Sequence, residues 1–385
     1  MSIYYIFLSF IFLIAFLDVL VITDNKKIKI LNFALFLLIC TFVGLRYQIG
    51  LDWLFYQDLF QGGTFTIAIE PGYYFLSYIS SSILGYWCYQ ALITVFFVLC
   101  LTAFFRKLTV NYLFCIGLFF LYQFIFVTEA LRQIISLAIV LIAFIKYLEG
   151  KTVLFYLLVI TAVLFHVSAI ITFAILPFVY RRNAQLLKIL ALLGVVLSLI
   201  NIYPIEFFLK FITMLPAGGY IEKVMWYSQD DYAGSIITFS LVFKILIILM
   251  FDFRFKSITS NESHAIDSRS YKVIYASLYL MLFIDVYLGR FGTISTRLDV
   301  YFIPFFLVAI TYLIKEFRQG ISRVLSLAFV MTYFAINYFS IMDGYYFEHF
   351  YSPYQNYISE IFSPGAYNDR GWDVRFYFSN KDLLQ

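Results

Sequence analysis

The sequence predicts an all-α, polytopic integral membrane bundle of about twelve transmembrane helices. Two observations carry this. Of the 385 residues, 63% are hydrophobic and 13% charged, and the mean hydropathy is +0.88, whereas soluble domains are roughly 45 to 50% apolar. The apolar residues also come in runs of about 20, and a chain surrounded by hydrocarbon must satisfy its backbone groups internally, which selects helices over open strands.

The expected spans are 3–22, 30–45, 86–105, 110–127, 130–146, 152–165, 167–180, 186–203, 236–252, 273–290, 298–314 and 322–341. Basic residues set their sidedness. Lys26, Lys27 and Lys29; Arg106 and Lys107; Lys146 and Lys151; Arg181, Arg182 and Lys188; Arg254, Lys256, Arg269 and Lys272; and Lys315, Arg318 and Arg323 hold 17 of the 27 Lys and Arg. Such clusters mark cytoplasmic loops, so pairs of spans form hairpins between them. The first span has no basic segment before it and no small-residue cleavage site, so it is expected to be retained with its N-terminus outside. The run from Thr152 to Tyr180 has basic residues at both ends, which requires an even number of crossings. Two short halves meeting at His166 satisfy that rule and imply a cavity at the turn.

The chain reads as a single membrane domain over 1–385, with outer loops at about 46–85 and 204–235 and an outer tail at 342–385. Within the first loop the apolar stretch from Tyr73 to Leu84 is too short to span and is expected to lie in or re-enter the interface, like a lid. The second loop carries Gly218-Gly219 and Asp230-Asp231. The net charge of +4 is divided between two sides of a membrane, so it gives no indication of nucleic acid. Cys40, Cys88, Cys100 and Cys115 lie in apolar segments without ligand spacing, so neither disulfide nor metal is expected. With no phosphate-binding glycine loop or nucleotide fingerprint, no cofactor is expected and an activated donor would arrive in the membrane.

The outer side collects an unusual polar set: Arg46, Arg132, Arg290 and Arg297 beside Asp52, Glu70, Glu129 and His166. An Arg at the bilayer centre costs roughly 2.5 to 3.5 kcal/mol on insertion scales, less near the interface. Arg132 either pairs with Glu129 three residues earlier on one helical face or clamps an anion, since guanidinium presents a planar fork to phosphate oxygens. Four such groups around one outer cavity would suit a diphosphate. His166, at the turn of Phe165-His166-Val167-Ser168-Ala169, is either a hydrogen-bonded packing residue or a group that orients or deprotonates a hydroxyl. Asp52, after the flexible Gly50, either forms an outer salt bridge or holds a sugar beside Trp53 and Tyr56; Glu70 shares the ambiguity, and the two acids could form a glycosidase-like pair. Tyr56, Tyr73, Tyr351 and Tyr354 could stack on sugar rings or serve as interfacial packing. Lys244 and Asp285, about twelve and seven Å below the outer ends of their spans at 1.5 Å per residue, are expected to form a structural ion pair, with a proton or substrate relay as the second reading.

Arg46 with Gly50-Leu51-Asp52 and Tyr56, Glu70-Pro71-Gly72-Tyr73, Leu131-Arg132-Gln133, Phe165-His166-Val167-Ser168-Ala169 and, more loosely, Arg297 with Tyr301-Phe302 together resemble the EpsG family of bacterial exopolysaccharide and O-antigen polymerases, Wzy-type membrane glycosyltransferases. The resemblance is good over about 40–180 and thins thereafter. It implies a fold like the lipid-dependent (GT-C) glycosyltransferases in the bacterial inner membrane, and an active site facing the periplasm. It also implies a lipid-diphosphate-linked oligosaccharide donor, an undecaprenyl-diphosphate-linked repeat unit as acceptor, and partners such as a chain-length regulator and a flippase; no nucleic-acid partner is expected. On this view Arg46, Arg132, Arg290 and Arg297 bind the diphosphate, Arg132, His166 and Asp52 serve catalysis, and Glu70, Tyr56 and Tyr73 hold sugar. Two other classes remain open: a lipid-linked oligosaccharide flippase, which would concentrate polar groups at the midplane, and a membrane O-acyltransferase, which would also use an intramembrane His.

Overall fold

The computed structural model describes residues 2–20, 25–63, 69–204, 237–254, 267–317, 320–365 and 367–379. Gly218-Gly219, Asp230-Asp231, Lys256 and Arg318 lie outside them. All regular structure among the described residues is helical. In chain order the helices are α1 (Ser2–Leu20), α2 (Asn25–Ile39, extended by a π-helical turn, Cys40–Gly44), α3 (Asp52–Phe60), α4 (Pro71–Ser81), α5 (Tyr86–Leu108), α6 (Tyr112–Tyr122), α7 (Phe124–Glu129), α8 (Leu131–Leu148) and α9 (Thr152–Phe165). A 3-10 helix (Val167–Ala174) leads into α10 (Ile175–Phe178) and α11 (Arg181–Leu199). There follow α12 (Phe239–Phe253), α13 (Ser268–Leu288), α14 (Gly292–Asp299), α15 (Ile303–Glu316), α16 (Ile321–Met342), α17 (Tyr345–Phe350), α18 (Tyr357–Phe362) and α19 (Gly371–Ser379).

Each expected span coincides with helix, but length divides them. Among the described residues seven helices are long and apolar enough to cross a membrane, and up to eight if α14 and α15, bent by 62°, form one span. Helices α6, α9 and the run from Val167 to Phe178 are apolar but shorter. The expected span at 110–127 is interrupted between Tyr122 and Phe124, whereas the expected half-spans 152–165 and 167–180 do meet in a break at His166, where φ is −158°. The segment after Glu70 is a short helix as expected, with Tyr74, Phe75 and Tyr78 on its exposed face.

Helix α6 is the hub. Residues Leu113–Leu121 are all buried, as a helix apolar on every side requires, and α1, α5, α15 and α16 pack around it. By contrast α11 and α16 leave many large apolar side chains exposed, as lipid-facing helices do. Polar caps fix several starts: Thr238 accepts from Leu241 N at 3.2 Å before α12, and Asp267 from Arg269 N and Ser270 N at 2.9 Å before α13. Such caps satisfy amide groups that the first helical turn leaves open.

The two ends of the bundle differ. Lys146 and Lys151 pair with Glu149, Arg269 reaches Tyr147 O at 3.4 Å, Tyr312 OH donates to Leu108 O at 2.7 Å beside Arg106 and Lys107, and Arg323 caps α15 at Phe317 O. These contacts gather basic residues of several hairpins at one end. The opposite end holds the loop 45–51, α3, α4, the breaks at Ala130 and His166, α14 and the C-terminal helices.

Candidate active site

The loop after α2 is tied down by the C-terminal tail. Tyr47 N donates to Gln355 O at 3.0 Å, Tyr357 N to Leu45 O at 2.8 Å, and Arg46 forms an isolated antiparallel bridge with Asn356. Arg370, itself buried, donates to Gln48 O, Phe350 O and Pro353 O. Arg46 is buried inside this clasp: the residue is 2% exposed, its Nη1 donates to Val43 O at 2.7 Å while its Nε has no hydrogen-bond partner, and Gln90 Nε2 holds its backbone carbonyl at 2.9 Å. Burial pushes its pKa down, and the residue is not in the lining of the cavity described next.

Gly50 then turns the chain with φ of +86° and brings Leu51 N to Glu129 Oε1 at 3.2 Å. A Cβ at this glycine would lie 2.8 Å from the same Oε1, so both torsion and space require glycine. The turn starts α3 with Asp52 in its first turn, where the helix dipole favours an acid.

Asp52 borders a cavity of about 650 Å³ that is lined also by Tyr122, Glu129, Gln133, Ser240, Lys244, Asp285 and Arg297, a size ordinary for small-molecule sites. A larger recess of about 830 Å³ beside α4 is lined by Gly62, Gly63, Tyr74, Tyr78 and neighbours, without an acid or base. Chemistry therefore belongs to the first. Among its walls Asp52, Glu129 and Asp285 face Lys244 and Arg297, so it is not a simple cationic bowl.

Burial raises the Asp52 pKa while the positive charges of Arg297 and Arg132 both oppose that rise. These two arginines are the pair, out of four candidates, whose fields converge on one acid. Arg132 donates to Glu70 Oε2 at 2.6 Å and, more loosely, to Tyr56 OH at 3.5 Å, with its guanidinium 5.7 and 5.8 Å from the Phe55 and Tyr56 rings. One of the two readings of Arg132 pairs it with Glu129 on a shared helical face. That pairing is overturned because the helix breaks at Ala130 (ψ 59°), so the two residues do not share a helical face. Arg290 stacks over Tyr203 at 4.6 Å, and of the four arginines only Arg297 is among the cavity-lining residues; Arg132 lies outside the lining, on Glu70.

Glu70 sits one residue before Pro71 at the start of α4, so its ion pair joins that helix to α8. Tyr56 and Tyr73 are 3% and 0% exposed and meet edge to face at 5.5 Å. They build the wall behind Arg132 and are not presented to the cavity. Tyr351 is likewise buried, and Tyr354 is held by its OH to Phe42 O at 2.7 Å.

His166 stands behind the cavity. Its Nδ1 lies 2.6 Å from Ser168 Oγ, which is 3.2 Å from Tyr301 OH; Gln133 Nε2 donates both to Ser168 Oγ at 3.2 Å and to the Arg297 carbonyl. Ser136 completes the chain, 3.1 Å from Tyr301 OH. The helix break at His166 is thus fastened to α8 and to the backbone that carries Arg297. This network joins α8, the 3-10 helix, α14 and the turn at Tyr301, and Gln133 and Tyr301 stand inside the motifs quoted above.

On the far wall, Lys244 Nζ lies 2.9 Å from Asp285 and 2.5 Å from Asp299. The expected Lys244–Asp285 pair is present, and Asp299 is an addition. Its signal was weak, since it lies where the sequence places the start of a span.

A family model described as the EpsG family matches residues 29–356. No curated protein and no solved structure matches the chain. The matched region contains most of α2, all of α3 through α17 and with them every residue of the cavity, so the chain belongs to the EpsG family and is a polysaccharide-polymerase-like membrane protein.

Proposed function

We propose that the protein is a membrane glycosyltransferase that polymerises a polysaccharide at the outer face of the bacterial inner membrane. The growing glycan moves from undecaprenyl diphosphate to the non-reducing-end sugar of an undecaprenyl-diphosphate-linked repeat unit. The observation that carries this reading is a 650 Å³ cavity whose lining brings Arg297 together with Asp52 and Glu129, while Arg132, held by Glu70 outside that lining, adds a second positive charge acting on Asp52. Transfer at an anomeric carbon expels diphosphate, and guanidinium groups suit the charge that builds on it. In the proposal Arg132 and Arg297 take that charge, and Asp52 orients the acceptor hydroxyl. His166 acts through Ser168 and Gln133 to position Arg297. Glu70 holds Arg132 in place until the anion arrives, and α4, whose Tyr74 and Tyr78 line the neighbouring 830 Å³ recess, is a lid-like helix beside the site. The shorter helices α6, α9, α10 and α12 would complete about twelve crossings in a GT-C-like arrangement.

Glycan chain length in a strain lacking the gene tests the proposal. Loss of polymer with single repeats still exported is the expected result. Loss of export would indicate a flippase, and changed acylation with unaltered chain length an acyltransferase. Either would overturn the proposal.

A further inference from the structure

Glu129 ends α7, one residue before the break at Ala130, and lines the cavity beside Asp52. Its Oε1 accepts from Tyr351 OH at 2.8 Å, from Leu51 N at 3.2 Å and from Tyr346 OH. Two of these donors belong to the C-terminal tail, which reaches back across the whole sequence to hold one carboxylate. Three donors on one oxygen fix the orientation of the group and assign its other oxygen, Oε2, to whatever the cavity holds.

The electrostatic surroundings separate Glu129 from its neighbour. Burial raises the Asp52 pKa, and Arg297 and Arg132 oppose that rise by stabilising its anion, whereas no arginine is among the groups that lower the Glu129 pKa. Around Glu129 stand Asp52 on α3, Arg46 within the clasp, and Tyr346 and Tyr351 from the tail; Arg297, Lys244 and Asp285 lie on the other walls of the cavity. Burial and the Asp52 charge push its pKa up to about 7 against the pull of the three donors. A carboxylate that titrates near the working pH is suited to proton transfer.

We infer that Glu129 is the general base of the glycosyl transfer, an inference that rests on the function proposed above. The acceptor O–H proton passes to Glu129 Oε2 as that hydroxyl oxygen bonds to the anomeric carbon. The bond from this carbon to the diphosphate oxygen breaks, and its electron pair leaves on the diphosphate, toward Arg132 and Arg297. Tyr346 is a positioning residue that sets the basicity of Glu129.

The test uses the full chain in lipid vesicles with single-repeat lipid-linked oligosaccharide extracted from a deletion strain. Glu129→Gln keeps an acceptor for all three donors, so folding is preserved, while the base is removed. A loss of about 10²- to 10⁴-fold in elongation rate is expected. Tyr346→Phe removes a donor that favours the ionised form, so the pKa rises and the acid limb of the pH–rate profile moves to higher pH. Glu129→Gln elongating at the unsubstituted rate, or Tyr346→Phe slowing elongation without moving that limb, would refute the assignment. If the unsubstituted protein makes no polymer in the same vesicles, the transfer reaction itself is refuted, and the base falls with it.

Discussion

Removing the charge of Lys244 should destabilise the protein far more than removing either of its partners' charges. Lys244 is buried, its side chain 6% exposed, and its ammonium lies between Asp285 and Asp299, whose side chains are 16% and 7% exposed. One cation and two carboxylates leave one formal negative charge in excess. Lys244→Met strands two neighbouring carboxylates, and breaking a buried pair from one side costs about 3 to 5 kcal/mol. Asp285→Asn leaves a Lys244–Asp299 pair that is neutral overall, and the expected loss is only that of a hydrogen bond to a charged group, about 1.5 to 3 kcal/mol. Adding Asp285→Asn and Asp299→Asn to Lys244→Met removes the stranded charges and should restore most of the loss. The assay is reversible unfolding in mixed micelles, compared across the single, double and triple variants. If Lys244→Met costs no more than Asp285→Asn, the cluster is not a structural ion triad and a relay becomes the better reading.

Three further outcomes follow from the geometry. Gly50→Ala places a Cβ 2.8 Å from Glu129 Oε1 at a φ of +86°, so a loss of at least about 1 to 2 kcal/mol from the torsion alone is expected, together with loss of polymer; thermal unfolding and product gels check both. Gly72→Ala brings a Cβ to 2.8 Å from Leu164 O on α9, an overpacking worth about 1 to 3 kcal/mol, and it should shift α4 and slow elongation. The Glu129 pKa is raised in the folded state, from 4.5 to about 7, so the folded protein binds that proton more tightly. Its contribution to stability is complete below about pH 4.5 and is lost as pH rises through about 7. Unfolding followed across that window should show a slope that Glu129→Gln removes.

The helices and their lipid-facing character were legible because apolar runs and basic clusters are local signals. Length was less so. The interruption at Gln123 involves no proline, and a hydropathy pattern passes through it unmarked, whereas the break at His166 was legible from the basic residues at both ends of 152–180. The site was legible in its residue types and less in its partnerships. One reading placed Arg132 beside Glu129, but the break at Ala130 sends it to Glu70 across 62 residues of sequence. Arg46 was expected at the anion, yet it is buried under the tail with its guanidinium on Val43 O, and nothing in a sequence shows which loop a tail of forty-odd residues will cover. Tyr56 and Tyr73 differ from sugar-stacking rings only in being buried, a property decided by how α3 and α4 pack on α5 and α9. The Lys244–Asp285 pair was legible because an isolated Lys and an isolated Asp within apolar helices have few other ways to be satisfied.

The most direct test of the account compares arginines by the polymer they support. Full-length protein in vesicles, given the single-repeat lipid-linked oligosaccharide, would be assayed for product length as Arg132→Ala, Arg297→Ala and Arg290→Ala. The account predicts no product beyond a single repeat from the first two and a normal ladder from the third. A normal ladder from Arg132→Ala or Arg297→Ala would contradict it.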